Sequence, residues 1–136
     1  MKLLITGSRK FNDSTALAEA IKKVEELQGV KITMLLHGGA KGADALAQNW
    51  TDENKIRTQV IKPDYENFGK VAPLIRNKQL VKLADITLAI YATKNRTGGT
   101  GHTATETIKT GKPLYEKFQS GKLKYTAPAS TAKTLF

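Results

Sequence analysis

The chain has no cysteine, two histidines, two methionines and one tryptophan among its 136 residues. Without cysteine there are no disulfides and no thiolate metal sites. Two histidines with no cysteine beside them argue against a metal centre. The lack of disulfides fits a cytoplasmic setting. No stretch approaches the roughly 18 apolar residues that a membrane span requires. The apolar run after Lys2 is only Leu3-Leu4-Ile5, too short for a signal peptide. No membrane partner is therefore expected. Acids are scarce as well: 12 stand against 22 basic residues, a net charge of +10. Such an excess draws polyanionic or phosphate-bearing partners through long-range attraction.

What is present is a repeated alternation of apolar runs and amphipathic segments. Residues 2–6 read as a short buried strand. Residues 14–28 read as a helix, with Leu17, Ala20, Ile21, Val24 and Leu27 at helical spacing. Asn12, Asp13 or Ser14 is its candidate cap, and Gly29 its stop. Strands are expected at 31–36, 57–62, 85–92 and 113–117, and helices at 42–50, 71–84 and 102–110. Pro73 fits only a first helical turn. Strand–helix alternation with strands apolar on both faces predicts an α/β fold, a parallel sheet covered by helices on either side. Residues 1–118 read as one domain. Residues 119–136 hold three lysines and no acid, show no periodicity, and read as a basic tail or arm.

Three strand ends are unusual in composition. The first runs into Gly7-Ser8-Arg9-Lys10. The second runs into His37-Gly38-Gly39-Ala40-Lys41-Gly42-Ala43-Asp44. The fourth opens into Lys94-Asn95-Arg96-Thr97-Gly98-Gly99-Thr100-Gly101-His102-Thr103. In an open α/β sheet, ligands bind beyond the carboxyl ends of the strands. Glycines let a backbone come close to a ligand, and a helix that follows offers free N–H groups to phosphate. Arg9, Lys10, Lys41, Lys94 and Arg96 fall on that edge. Arg76 from the third helix joins them, with Asp44, Asp64 and Glu106 as the nearby acids. The first loop is not G-x-G-x-x-G, and no G-x-x-x-x-G-K-[ST] occurs. Standard dinucleotide and P-loop sites are thus absent, and no cofactor is expected.

The stretches "ITGSRKFND", "HGGAKGADALAQNW", "IRNKQLVKLADITLAI" and "GGTGHTATETIKTGKPL" resemble the SLOG superfamily. That superfamily takes in the Lonely Guy (LOG) phosphoribohydrolases, the DNA-processing protein DprA and many nucleotide-ligand sensors. The nearest branch looks like the small YspA/YpsA-related SLOG proteins of bacteria and phages. The four pieces follow the family's order over about residues 3–115. The resemblance implies a Rossmann-like three-layer sandwich with a five-stranded parallel sheet in the order 3-2-1-4-5. Its switch point then sets Gly7-Ser8-Arg9 opposite Gly98-Gly99-Thr100. It also implies a homo-oligomer. The ligand-binding set carried by these motifs is Gly7, Ser8, Arg9, Lys10 and Phe11; Gly38, Gly39, Ala40, Lys41 and Asp44; Arg76 and Asn77; and Gly98, Gly99, Thr100, Gly101, His102 and Thr103.

Three functions follow as expectations. The first is a module that binds a nucleotide-derived phosphorylated molecule, such as a cyclic nucleotide or an ADP-ribose derivative. In a phage it would sense or sequester an immune signal. The second is a LOG-like nucleoside monophosphate N-glycosidase, with Arg76 and Glu106 as catalytic pair. The LOG signature P-G-G-x-G-T-x-x-E is altered here. Thr97 replaces the proline, and one extra residue precedes Thr103-Ala104-Thr105-Glu106. An extra residue turns a helix face by about 100°, so the facing of Glu106 is open. The third is DprA-like nucleic-acid binding through the net charge and the lysine-bearing tail. Of single residues, Asp44 either meets free N–H groups or contacts a ribose. Trp50 packs between helix and sheet, Tyr65 and Phe68 are candidates for base stacking, and His102 contacts ligand or caps a helix.

Overall fold

A computed structural model describes residues 1–119 and 121–128. Strand β1 (Lys2–Gly7) lies in the middle of the sheet, and Leu3, Leu4 and Ile5 in it are wholly buried. Helix α1 (Ser14–Gln28) follows. Of the candidate caps it is Asp13 that accepts from the Ala16 N–H, at 2.9 Å, and Gly29 closes the helix in the left-handed region. Then come β2 (Met34–His37), α2 (Ala43–Asn54), β3 (Arg57–Val60) and the short α3 (Tyr65–Phe68). A single 3-10 turn leads into α4 (Ala72–Leu83), which has Pro73 in its first turn, as its missing N–H requires. The chain continues through β4 (Ile86–Ile90), α5 (Gly98–Lys109), β5 (Leu114–Lys117) and β6 (Leu123–Thr126).

The sheet order is β3-β2-β1-β4-β5-β6, with all pairs parallel except β5–β6. The alternation of β1 explains the layers. Leu3 and Ile5 face α1 and α2, where they meet Leu17, Ile21, Val24 and Ala47. Leu4 points the other way, with Leu36, onto Leu80 and Val81 of α4. Ala89 and Leu114 meet Ala104 of α5. Trp50 packs, partly buried, against the first of these clusters. Each large side chain so buried contributes roughly 1.5–3 kcal/mol. Among the described residues, no helix is long and apolar enough to cross a membrane.

Two features differ from the sequence reading. The expected five-stranded sheet has six strands, because part of the segment read as a basic arm is β6. Tyr125 of β6 lies over Tyr115 of β5, ring centroids 4.7 Å apart, and Leu123 packs against the core. A four-residue edge strand is too short to show a period. Ser120 and residues 129–136, the rest of that segment, lie outside the described residues. The second difference is at α5, which begins at Gly98 and not at 102. The glycines of its first turn are poor helix formers. They are held there by the Gly101 N–H donating to Thr97 O at 2.8 Å and by the Thr103 hydroxyl donating to Gly99 O at 3.1 Å.

Candidate functional site

A crevice of about 430 Å³ opens at the carboxyl ends of β1 and β4. These neighbouring strands are where the sheet order reverses direction, the usual ligand position of such folds. From β1 and its loop come Thr6, Gly7, Ser8 and Arg9. The β2–α2 loop and the start of α2 give Ala40 and Asp44. Helix α4 gives Pro73, Leu74, Arg76 and Asn77. The end of β4 gives Tyr91, Ala92 and Thr93, and the start of α5 gives Thr97, Gly98, Gly99 and Thr100.

The loops are tied to one another. Ser8 N–H donates to Ile90 O at 2.9 Å, and Ser8 O accepts from Ala43 N–H at 3.1 Å. Gly7 sits in the seam, where a Cβ would press on Ala43 Cβ and come within 2.9 Å of Ile90 O. The Ser8 hydroxyl accepts from the Lys10 N–H at 3.1 Å, so its own hydrogen is left for an anion. Across the crevice, the first turn of α5 has no side-chain cap. The first N–H groups of a helix have no partner within it. Here they lie at the crevice wall with the positive end of the helix dipole behind them.

Arg76 forms the base of another wall. Its Nη1 donates to Gly38 O at 2.7 Å and to Ile61 O at 3.4 Å, and its Nε donates to Asn77 Oδ1 at 2.9 Å. The guanidinium lies so close over Gly38 that a Cβ there would collide with it. Burial lowers the Arg76 pKa from its ordinary value, against the carboxylate of Asp44 and the Tyr65 hydroxyl; nearby Arg9 adds to the lowering. Asn77 in turn donates to Gly99 O at 3.4 Å and shares a 3.2 Å hydrogen bond with His102 Nδ1, joining α4 to α5.

Among the described residues, Asp44 is the one acid lining the crevice, and it is only 5% exposed. Its Oδ2 accepts from Gly38 N–H and Ala40 N–H, each at 3.1 Å. Burial raises its pKa; the Ala40 N–H, His37, the Gly38 N–H and Arg76 work against that. His37 itself faces α2. Its Nδ1 accepts from Gly39 N–H at 3.0 Å, so Nε2 carries the proton and donates to Gln48 Oε1 at 2.7 Å.

The remaining residues singled out in the sequence lie elsewhere. Lys10 and Lys41 are exposed beside the crevice without lining it, and Phe11 packs against the core. Gly38 and Gly39 shape the loop under Arg76. Gly101 lies beneath Arg96, and Thr103 is buried. His102 and Glu106 line an adjoining shallow depression with Lys78 and Lys109, which meets the crevice at Thr97 and Gly98. There Glu106 is 3.7 Å from His102 Nε2 and 3.7 Å from Lys109 Nζ. Because α5 is continuous from Gly98, the extra residue is absorbed as one more helical position, and Glu106 turns away from the crevice. Tyr65 and Phe68 are exposed on α3, outside the lining.

Arg96 corrects the charge inventory. It does not line the crevice but holds the fully buried Glu116 of β5, Nη2 to Oε1 at 2.6 Å and Nε to Oε2 at 2.8 Å. The Tyr91 hydroxyl donates to the same carboxylate at 2.6 Å. Burial pushes the Glu116 pKa up, but these hydrogen bonds outweigh it and leave the carboxyl below its ordinary value. Among the described residues, the crevice thus holds two cations, Arg9 and Arg76, against one buried carboxylate. The residues missed by the sequence reading, Thr6, Tyr91 to Thr93, Pro73 and Leu74, had a signal. Thr6 lies near the end of β1 and Tyr91 to Thr93 directly follow β4, at the switch point, and Pro73 shares a helix face with Arg76 and Asn77.

Fold and site together define a Rossmann-like α/β protein with a polar crevice at the switch point. The profile of the YspA, cpYpsA-related SLOG family matches residues 1–68. The "Gene 61 protein" of Mycobacterium phage D29 is 33% identical over 120 residues, 83% of this chain and 93% of the phage protein. The chain belongs to this SLOG family. No solved structure matches it.

Proposed function

We propose that the crevice binds a nucleotide-derived, phosphorylated small molecule and releases it unchanged, so that the protein senses or sequesters a signalling nucleotide. The observation that carries this reading is the uncapped first turn of α5, which lines the crevice together with Ser8 and Arg9. Backbone N–H groups, a hydroxyl with a free hydrogen and a guanidinium are what a phosphate monoester or diester requires. The likeness to a phage protein favours a phage setting, in which the captured molecule would be an immune signal such as a cyclic nucleotide or an ADP-ribose derivative.

Binding is favoured over hydrolysis by the position of Glu106. The LOG-like step needs Glu106 itself beside the sugar, as glycosidase carboxylates are, and Glu106 does not line the crevice but lies 3.7 Å from His102 and from Lys109. A panel of mononucleotides, cyclic nucleotides and ADP-ribose derivatives tests the reading by thermal shift, followed by chromatography of the denatured mixture. We expect at least one ligand to raise the melting temperature and to be recovered intact. Release of a free base with a ribose phosphate would replace the binding reading by the hydrolase. If nothing shifts the melt while DNA or RNA binds, the DprA-like reading takes its place.

A further inference from the structure

Among the described residues, Asp44 Oδ1 is the one buried side-chain oxygen without a hydrogen-bond partner. Most buried polar atoms are paired, and a carboxylate oxygen left alone is costly. The carboxylate is not free to turn away, because Oδ2 is held by two backbone N–H groups of the β2–α2 loop. Arg76, the nearest guanidinium on this wall, already donates to Gly38 O, Ile61 O and Asn77. The residue lines the crevice, and a group bound there is the candidate donor to Oδ1.

We propose that Asp44 accepts a hydrogen bond from a ribose hydroxyl of the bound nucleotide, and that the crevice thereby selects ribose over deoxyribose. This rests on the crevice reading above. Position argues for the sugar. Ala43, next to Asp44, abuts Gly7 and donates to Ser8 O, so the carboxylate stands beside the loop that meets the phosphate, not at the far reach of a base. Charge argues for it too. A phosphate is repelled by the buried carboxylate, which assigns the anion to the side of Ser8 and Arg9 that faces α5. A cationic donor is disfavoured by Arg9 and Arg76. What remains is a small, neutral donor within a few bonds of a phosphate, which a ribose hydroxyl is.

Calorimetric titration with ribose 5-phosphate, its 2-deoxy and 3-deoxy counterparts and inorganic phosphate tests this without knowing the base. In the wild type we expect one deoxy sugar phosphate to bind about tenfold more weakly than the ribose compound, the effect of losing a hydrogen bond to a charged group. In Asp44→Asn that preference should shrink at least threefold, while inorganic phosphate binds as well or better. Equal binding of all three sugar phosphates by the wild type, or an unchanged preference in the variant, overturns the role of Asp44 and leaves the crevice reading standing. If neither phosphate nor any sugar phosphate binds, the role of Asp44 falls, and the nucleotide panel decides the crevice reading. Should Asp44→Asn fail to fold, the wild-type comparison still decides.

Discussion

Gly38 and Gly7 are both crowded, but by different neighbours, and the difference makes them separable. Above Gly38 lies the end of a long side chain, the Arg76 guanidinium. Gly38→Ala should therefore leave stability within about 1 kcal/mol, while displacing Arg76 and weakening phosphate-ligand binding about tenfold. Around Gly7 the crowding comes from Ile90 O and Ala43 Cβ, which cannot swing aside. Gly7→Ala should cost about 1–3 kcal/mol, as overpacking does. Denaturant melts and ligand titration of the two variants check both statements. Single residues were unequally legible. Gly7, Ser8 and Arg9 could be placed because an apolar run ended in them. The pairing of Arg96 was not legible, because its partner, Glu116, lies on another strand and leaves no local trace. Asp44 showed only as an acid near a helix start; that half of its carboxylate is unpartnered is a fact of packing.

At the scale of elements, α5 and its surroundings matter most. Gly99 has open space where a side chain would go, and nothing lies within 4 Å of a Cβ there. Gly99→Asp would put a carboxylate at the positive end of the helix. We expect it to leave the fold intact, with a gain of about 0.3–1 kcal/mol from the dipole, and to weaken phosphate binding at least tenfold. A thermal melt and a phosphate titration of the same sample read the two effects. The loop before α5 is fixed by Arg96 and Tyr91 on Glu116. Because the Glu116 pKa is lowered in the folded state, its stabilisation is full above the ordinary value of 4.5 and is lost as pH falls through the lower folded value. The melting temperature should drop as pH is taken below 4.5, and less steeply in Glu116→Gln. The four strand–helix repeats were legible because apolar period and capping residues agreed. The early start of α5 was not, since a run of glycines reads as a loop until packing holds it as a helical turn. Helix α4 ends in another long-range contact: Lys112 Nζ donates to the carbonyls of Val81, Lys82 and Ala84 at 2.7, 2.9 and 2.6 Å.

For the molecule as a whole, the +10 charge and the crevice make different demands on salt. A ligand with one phosphate site should lose less than about tenfold in affinity between 50 and 200 mM salt, whereas nucleic acid held by many phosphate contacts would lose about a thousandfold or more. Titration at both salts separates local recognition from general attraction. The sequence conveyed the sign of the charge and its gathering on one sheet edge, but not how much of it is already neutralised from within. The last strand also bears on handling the protein. β6 shields the outer rim of β5, and Tyr125 covers Tyr115. A deletion of 119–136 meant to ask about lysines would also bare a strand rim, an invitation to chain-to-chain pairing and precipitation. Turbidity in such a sample would report a lost cover, not a lost partner for nucleic acid. A cut after Pro128 keeps the cover and removes only Lys133 of the three lysines.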